Sequence, residues 1–376
     1  MTEFFENLNQ RIKLLGGKFN AHLHIDRVNT YSQTLSLLNI ANNSGSSLSL
    51  AAKHGIIPTI HKSSAYDVHN LKARVKSSLL TMASNGTTRA DSVVDVTDDR
   101  VQLSALNALL EVKEEIAETI DFRLGVYNPF GFSNDQPKRW SLFERGVPKA
   151  DFIGSLPERD DHRDYPNHIG FERSIRDAIS LSFDVRKPVH IHVDQQNHDR
   201  EFGCEIVAKV VEQAGFKHTL GEEPLVWLVH AISPATFEEA RFRDLAEKLA
   251  ALNIGIICCP SAAISMRQLR PLSSPTGNSI ARVLDFLDAG VWVRLGSDNV
   301  CDITSPAGTL DITDEVFVLC NALRFYDPHT LSLLAAGKRL DSQSRLEISN
   351  HLIQDRQEIE AALARYERII FESSRT

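Results

Sequence analysis

Eight short apolar segments alternate with longer amphipathic segments over most of this chain of 376 residues. The last four are β-branched and almost continuously apolar, which is typical of strands buried on both faces. Alternation of strands with helices predicts a parallel sheet, and eight such units predict an α/β fold of the (β/α)8 barrel type. The eight predicted strands are "GKFNAHLHI" (17–25), "GTTRADSVVDV" (86–96), "FRLGVYNPF" (122–130), "ADFIGSLP" (150–157), "PVHIHVD" (188–194), "PLVWLVHA" (224–231), "IGIICCPSA" (254–262) and "GVWVRLGSDN" (290–299).

The segments between the strands carry helix signals. Residues 200–215 have apolar residues at helical spacing and end at Gly215, and residues 233–253 begin with Ser233 and Pro234, both of which favour a helix start. The chain after residue 340 has no strand pattern, so we expect a barrel over 1–340 and a helical tail over 341–376. That tail is predicted to pack on the barrel or on a partner subunit, through Leu352, Ile359, Leu363, Tyr366 and Ile370.

The net charge, the absence of long apolar runs and the cysteine content argue against several classes of protein. The formal net charge is −8, and no long basic run is present, so nucleic acid is a poor candidate partner. The N-terminus lacks the pattern of a signal peptide, and no run approaches the ~18 apolar residues of a membrane span. The five cysteines form no CxxC pair, so we expect no disulfide framework and a reducing, cytoplasmic location.

Histidines and one aspartate recur where the predicted strands end, which is where barrel enzymes build their sites. His22 and His24 end the first strand, His192 the fifth, His230 the sixth and Asp298 the eighth. Side chains two apart in a strand share a face, so His22 and His24 can chelate one ion together. With His192 and Asp298 they predict a divalent metal site, where Asp298 also accepts a proton from a water molecule.

Two other histidines are interpreted without a metal role. His190 shares the face of His192 one layer deeper, and we read it as a buried histidine with a hydrogen-bond partner. His61, in "TIHKSS", falls after the first strand and is interpreted as a surface residue.

Six motifs in order resemble the metal-dependent amidohydrolase superfamily, and within it the cytosine deaminase-like branch. They are "HLHID", "GTTRADSVVD", "KADFIGSLP", "HVDQ", "VHAIS" and "LGSDN". The resemblance covers about residues 18–340 and implies small heterocyclic substrates and hydrolysis of C–N bonds.

The resemblance also implies a role for each site residue. His22, His24, His192 and Asp298 resemble the metal ligands, and His230 resembles the histidine that orients or polarises the attacking water. The fourth predicted strand carries no lysine to bridge two metals, which implies a single ion, zinc or iron.

The chain departs from that family pattern at three places. Gln195 stands where deaminases of this type have a glutamate that shuttles a proton, and Asn299 stands where an acid often follows the strand-eight aspartate. Glutamine can hydrogen-bond but cannot transfer a proton near neutral pH. Both amides can instead read the amide face of a substrate. The short N-terminus and helical tail leave no room for the family's β-sandwich, which we expect to be absent.

Substrate recognition is less constrained by the sequence. Asn128 and Phe130, in "YNPFGF", lie where relatives contact the base and can contact a flat ring. An ordinary Pro-Gly loop with aromatic packing explains the same residues equally well.

Three functions follow from these patterns. The first is deamination of a nucleobase-like heterocycle. The second is opening of a cyclic amide or removal of an alkylamine, where Gln195 is no handicap. The third, from another class, is a catalytically weak protein that binds a heterocycle or a partner. A homo-oligomer is an open alternative.

Overall fold

The computed structural model describes residues 2–41, 48–215, 222–266 and 279–373. Eight strands form one sheet in sequence order, and every neighbouring pair is parallel. The predicted (β/α)8 barrel is therefore confirmed, with each strand inside or close to its predicted segment. The strands are β1 (Lys18–Leu23), β2 (Thr87–Asp95), β3 (Asp121–Tyr127), β4 (Phe152–Ser155), β5 (Val189–Val193), β6 (Val226–His230), β7 (Gly255–Cys258) and β8 (Val293–Leu295).

Helices surround the sheet, and the apolar core lies between the two layers. Within the described ranges this sheet is the one that the chain forms, in agreement with the expected absence of a β-sandwich. The helices are α1 (Glu3–Leu14), α2 (Tyr31–Leu38), α3 (Leu50–His54), α4 (Ile57–Lys62), α5 (Val68–Ser84), α6 (Ser104–Glu115), α7 (Pro137–Gly146), α8 (Phe171–Val185), α9 (Gly203–Ala214), α10 (Glu239–Ala251), α11 (Pro260–Ile264), α12 (Val283–Asp288), α13 (Ile312–Leu323), α14 (Pro328–Ala335) and α15 (Ser342–Ser373).

One predicted helix start is wrong. Helix α10 begins at Glu239, and Ser233 and Pro234 belong to a separate 3-10 turn, Ser233–Thr236. The Ser233 hydroxyl binds the Glu201 carboxylate and accepts a hydrogen bond from the His198 N–H at 3.0 Å. Ser233 therefore holds the loop after β5 instead of capping a helix.

The barrel closes where β1 meets the segment after β8. The Asp298 N–H donates to the His22 carbonyl at 2.9 Å, and the His24 N–H donates to the Asp298 carbonyl at 3.2 Å. One layer below, the Asn20 amide donates to the Ser297 hydroxyl at 2.9 Å and accepts from the Ser297 N–H at 3.1 Å. These bonds tie Asp298 to the end of the first strand.

The N-terminal end of the barrel is filled by aromatic rings around one arginine. The Arg294 Cζ lies 5.1 Å from the ring centre of Phe19, 4.2 Å from Trp227 and 4.8 Å from Trp292. The Arg294 guanidinium also donates to Glu223 at 2.8 Å. Because this end is closed, the interior opens toward the C-terminal ends of the strands, as in other barrels of this type.

The first turns of α15 pack on α12, and Ile348 is fully buried there. Farther along α15, Ile359 and Leu363 are more than half exposed. The side chains of Tyr366 and Ile370, and residues 374–376, lie outside the described part of the chain, and the division at residue 340 stays a prediction.

All five cysteines are free, as expected. Across the described residues, no helix is both long enough and apolar enough to cross a membrane.

Candidate metal centre and active site

Four buried side chains converge at the C-terminal end of the barrel: His22, His24, His192 and Asp298. One ligand atom from each lies within 4.8 Å of the other three. The Nε2 atoms of His22 and His192 are 3.0 Å apart, and Asp298 Oδ1 is 3.2 Å from His24 Nε2 and 3.9 Å from His22 Nε2. Donors that share one ion at about 2 Å lie within about 4 Å of each other, so these distances are close to those of a metal site.

The backbone brings these four residues together from three strand ends. Pairing of β1 with β2 shifts register between Asn20 and Leu23, so Leu23 joins the outer core while the His22 ring meets the His192 ring at 4.7 Å. Asp298 has a positive φ of 60° and is held by the two backbone bonds to β1. His22 and His24 thus face the barrel interior on either side of the outward-facing Leu23, the arrangement that strand alternation predicts.

Three of the four residues, His22, His192 and Asp298, are in the charge state that a divalent cation needs. His192 Nδ1 lies 2.9 Å from the Ser155 carbonyl, which can accept only from an N–H, so His192 Nε2 carries the lone pair. Burial and the neighbouring imidazoles lower the pKa of both His22 and His192 well below the usual range. Burial would raise the pKa of Asp298, but His24 and His230 bring it well below the usual range.

Two further contacts bear on metal binding. Asp298 Oδ1 is buried and has no hydrogen-bond partner among the described residues, as expected of a carboxylate oxygen that serves an ion. The Arg27 guanidinium contacts His24 Nδ1. Because a guanidinium only donates, binding of a metal at His24 Nε2 requires a small shift between these two side chains. The residues present therefore fit a divalent metal ion.

His230 stands beside this cluster at the end of β6. Its Nε2 is 3.9 Å from Asp298 Oδ2, and its backbone has a positive φ of 78°. Burial lowers the pKa of His230, so the ring is neutral near pH 7. Its Nδ1 is buried without a partner in the described ranges.

A cavity of about 490 Å³ opens above Asp298 and His230. Its wall also includes Glu158, Arg159 and Gln195. Five polar atoms of these wall residues are buried and lack a partner in the part of the chain that the structure describes. They are Glu158 Oε1, Arg159 Nε, Gln195 Nε2, His230 Nδ1 and Asp298 Oδ1. Buried polar atoms are normally paired, so this cavity is suited to a small polar ligand.

Solved structures with this architecture include a 5-methylcytosine deaminase from Klebsiella pneumoniae liganded with 5-fluorocytosine. It has a TM-score of 0.69 and 22% identity, over 83% of this chain and 70% of that chain. The chain shares its barrel fold.

Two more distant structures have the same fold. N-isopropylammelide isopropylaminohydrolase from Burkholderia multivorans has a TM-score of 0.64 and 16% identity, over 89% of this chain and 74% of that one. Atrazine chlorohydrolase from Arthrobacter aurescens, complexed with zinc, has a TM-score of 0.52 and 16% identity, over 88% and 70%. The resemblance indicated by the six motifs is thus confirmed at the level of the fold. No protein-family model matches the chain, and no curated protein is similar to it in sequence.

The remaining predicted substrate residues have protein partners. Asn128 Oδ1 accepts from the Phe130 N–H at 2.8 Å, while Asn128 Nδ2 is buried without a partner in the described region. The Phe130 ring lies 5.5 Å from the His61 ring. The Asn299 amide donates to Asp302 at 2.5 Å. Gln195 lines the cavity, whereas contact of Asn128, Phe130 and Asn299 with a substrate stays a prediction.

The interpretation of His61 as a surface residue is wrong. His61 is fully buried on α4, with Nε2 3.0 Å from Asp95 and Nδ1 2.7 Å from Asp99. Burial would lower the pKa of His61, but the hydrogen bonds to the two carboxylates raise it to about 9. A signal was present, because Ile57, Ile60 and His61 have the spacing of one helix face, and all three are buried on α4.

His61 belongs to a buried network that the strand pattern did not indicate. The Tyr66 hydroxyl lies 2.9 Å from Asp26 Oδ2 and 3.0 Å from Asp95 Oδ2, and it donates its single proton to one of them at a time. Arg27 lies 3.8 Å from Asp95 and 4.0 Å from Asp26. Arg27 also contacts His24, so the network adjoins the predicted metal ligands.

His190 and Asp194 have no part in the metal cluster. His190 packs on Phe152 with ring centres 4.3 Å apart. Its Nδ1 has no partner in the described ranges, so the expected hydrogen bond is not seen at that atom. Asp194 accepts from the backbone N–H groups of Gly203 and Cys204 at 2.7 and 2.9 Å, and so caps α9.

Gly296 fixes how closely the eighth strand approaches His22. A Cβ at this position would lie 2.9 Å from both the backbone N and the Cβ of His22, a distance that requires the backbone to move. We expect Gly296→Ala to lower the free energy of unfolding by about 1–3 kcal/mol and to weaken metal binding. Thermal melting and metal analysis check this. If Gly296→Ala is less stable but keeps its normal metal content, the contact between Gly296 and His22 does not position the metal ligands.

Proposed function

We propose that this chain is a metal-dependent hydrolase that removes an amino group, as ammonia, from a carbon of a small nitrogen heterocycle. One observation carries the proposal: the buried His22, His24, His192 and Asp298 cluster lies next to a cavity whose wall has five buried polar atoms without a hydrogen-bond partner among the described residues. A flat heterocycle with donors and acceptors on its edge matches such a wall. The names of the deaminase and aminohydrolase with the same fold support this class.

The metal is proposed to be a single zinc or iron ion. The cluster offers three nitrogens and one oxygen, and β4 (Phe152–Ser155) carries no lysine that could bridge a second ion. The zinc complex of the chlorohydrolase supports zinc. When bound, such an ion lowers the pKa of water toward neutrality and polarises the carbon under attack.

The side chains around the ion accept the proton, orient the water and bind the substrate. Asp298 is ionised and can accept the proton of the attacking water, and the neutral His230 can orient that water with the unpaired side of its ring. Gln195 Nε2 is unpaired among the described atoms of the wall and can donate to a carbonyl or ring nitrogen of the substrate.

Gln195 favours a second candidate. Removal of an alkylamine, or opening of a cyclic amide, is a reaction for which an amide at this position is no handicap. The isopropylaminohydrolase of the same fold supports that alternative. A binding protein without turnover is the third candidate, and it would retain its function after loss of the metal ligands.

The first experiment loads the protein with zinc or with iron and measures ammonia release from a panel of aminated heterocycles. The panel contains pyrimidines, purines, pterins and triazines. We expect release from one ring class. A negative result with bound metal and release of an alkylamine would replace deamination by the second candidate.

Replacement of Gln195 by glutamate tests the role of the amide. We expect Gln195→Glu to lower kcat/KM about tenfold, which corresponds to one lost hydrogen bond of about 1.5 kcal/mol, because an ionised carboxylate cannot donate. The measurement is steady-state ammonia release, with Gln102→Glu, in the turn before α6, as the control. A strong gain of turnover in Gln195→Glu would mean that the native site lacks a proton donor.

We also propose a cytoplasmic location, supported by the five free cysteines. A homo-oligomer is the proposal for protein partners, supported by the exposed side chains of Ile353, Ile359 and Leu363 on α15.

A further inference from the structure

Hydrolysis at a ring carbon needs a proton donor, and Gln195 cannot serve as one. When water adds to a C=N carbon, the ring nitrogen becomes strongly basic and must be protonated before the amine can leave. Asp298 starts as a carboxylate, and an amide does not release a proton near neutral pH. The assignment of the group that supplies this proton rests on the proposed function.

Three carboxyl groups line the cavity, those of Glu158, Asp164 and Asp298, and because Asp164 is exposed, Glu158 is the one besides Asp298 that is shielded from solvent. It lies after β4, in the 3-10 turn Pro157–Asp160, and lines the same cavity as His230 and Asp298. The residue as a whole is partly exposed, but its Oε1 atom is buried and has no partner within the described ranges.

The turn that carries Glu158 is held on both sides. Asp160 accepts from the Phe132 N–H at 2.6 Å and from the Ser174 hydroxyl at 2.7 Å. The Arg159 guanidinium is directed to Tyr165, where it contacts the hydroxyl and lies 4.7 Å from the ring centre. The nearest cation in sequence is therefore engaged elsewhere, and the Glu158 carboxyl is held toward the cavity.

The surroundings of Glu158 favour the protonated form of its carboxyl group. Burial and the negative charge of Glu201 raise its pKa to about 8, with a smaller contribution from Asp194, while the Gln195 amide partly opposes this. Glu201 is fixed by Ser233 and by the Gln196 N–H at 2.8 Å. A carboxyl with a pKa near the working pH is the kind of group that serves as a general acid.

We propose that Glu158 is the catalytic acid of this site, in place of the glutamate that Gln195 replaces. Water adds to the ring carbon while one of its protons passes to Asp298 and the Glu158 carboxyl protonates the ring nitrogen. Asp298 then returns its proton to the amino group, the C–N bond breaks, and ammonia leaves. The remaining hydroxyl proton passes to the Glu158 carboxylate as the carbonyl forms. One water is consumed, and both carboxyl groups return to their starting states.

The decisive experiment compares Glu158→Gln with the double variant Glu158→Gln/Gln195→Glu. We expect Glu158→Gln to lower kcat about 100-fold or more, within the usual range for loss of a general acid, with KM nearly unchanged. The double variant should regain at least about tenfold of that loss, because a carboxyl is restored on the same wall. Glu118→Gln, at an exposed glutamate after α6, is the matched control and should behave as the wild type.

The pH profile separates an acid from a structural residue. Wild-type kcat should fall as the pH rises through about 8, where Glu158 loses its proton. Glu158→Gln should lose this alkaline limb, and Glu201→Gln should move it to lower pH because one negative neighbour is gone. An infrared carboxylic-acid band that titrates near pH 8 in the metal-loaded wild type, and that is missing in Glu158→Gln, reports the proton without turnover.

Each outcome decides between the two proposals. Full activity of Glu158→Gln, absence of the infrared band, or failure of the double variant to recover would overturn the role of Glu158 while deamination stands. If the metal-loaded wild type releases ammonia from no heterocycle, the proposed deamination and the role of Glu158 in it both fail.

Discussion

Replacement of His192 by alanine is expected to remove the metal and the turnover together. His192 is buried, meets His22 at 3.0 Å between Nε2 atoms, and has its other nitrogen fixed by the Ser155 carbonyl. Structural four-ligand zinc sites bind with about 10–16 kcal/mol, so one ligand corresponds to roughly 3 kcal/mol, or about 100-fold or more in affinity. Metal content by mass spectrometry and ammonia release from the same sample measure both losses.

The control for this substitution is His69→Ala, because His69 is an exposed histidine on α5. It should keep both metal and turnover. A chelator applied to the wild type should reproduce the loss of activity and lower the melting temperature, because a ligand that binds only the folded state stabilises it. Stoichiometric metal and normal turnover in His192→Ala would show that the cluster is not the metal site.

The features of this protein that can be predicted from its sequence are those that depend on short-range patterns. Periodicity placed all eight strands, although β8 is only Val293–Leu295 where the apolar pattern covers 290–299. The difference arises because residues after Leu295 pair with β1 through Asn20 and Asp298 instead of continuing a regular strand. The candidate metal residues could be proposed because each ends a strand, and parallel strand ends meet at one edge.

Groups that depend on several elements could not be predicted from such patterns. The carboxylate partner of His61 is one such group, because Asp95 ends β2 and meets His61 only when α4 packs there. The protonation of Glu158 likewise depends on Glu201, which is brought near by the loop after β5. The distance from His61 to Asp95 and the distance from Glu158 to Glu201 cannot be read from the spacing of residues in the sequence.

The buried network around Asp95 should dominate the stability of the barrel's open end. Asp95 accepts from His61 at 3.0 Å and from Tyr66 at 3.0 Å, and it lies 3.8 Å from Arg27. Burial would raise the pKa of Asp95, but Arg27 and the His61 hydrogen bond bring it below the usual range. Asp95 is therefore charged in the folded protein, and it is the carboxylate that the two buried cations Arg27 and His61 share.

We expect Asp95→Asn to lower the free energy of unfolding by about 3–5 kcal/mol, because removal of one partner leaves a buried charge uncompensated. Asp99→Asn is the matched control. It removes the other partner of His61, but the Asp99 side chain is 26% exposed, so its loss should cost only about 1–2 kcal/mol. Urea unfolding of metal-free protein measures both values, so that loss of a metal cannot imitate the effect.

The pH dependence gives this prediction a second, independent check. Because the folded pKa of His61 is raised from 6.5 to about 9, its contribution is complete below pH 6.5 and is lost as the pH rises through 9. The lowered pKa of Asp95 makes its contribution present above its usual value near 3.8 and lost below that. The difference between wild type and Asp95→Asn should therefore be largest near pH 6 and shrink by about 1–2 kcal/mol above pH 9. A cost below about 1 kcal/mol near pH 6, or one that does not change with pH, would mean that Asp95 does not hold the charges of Arg27 and His61.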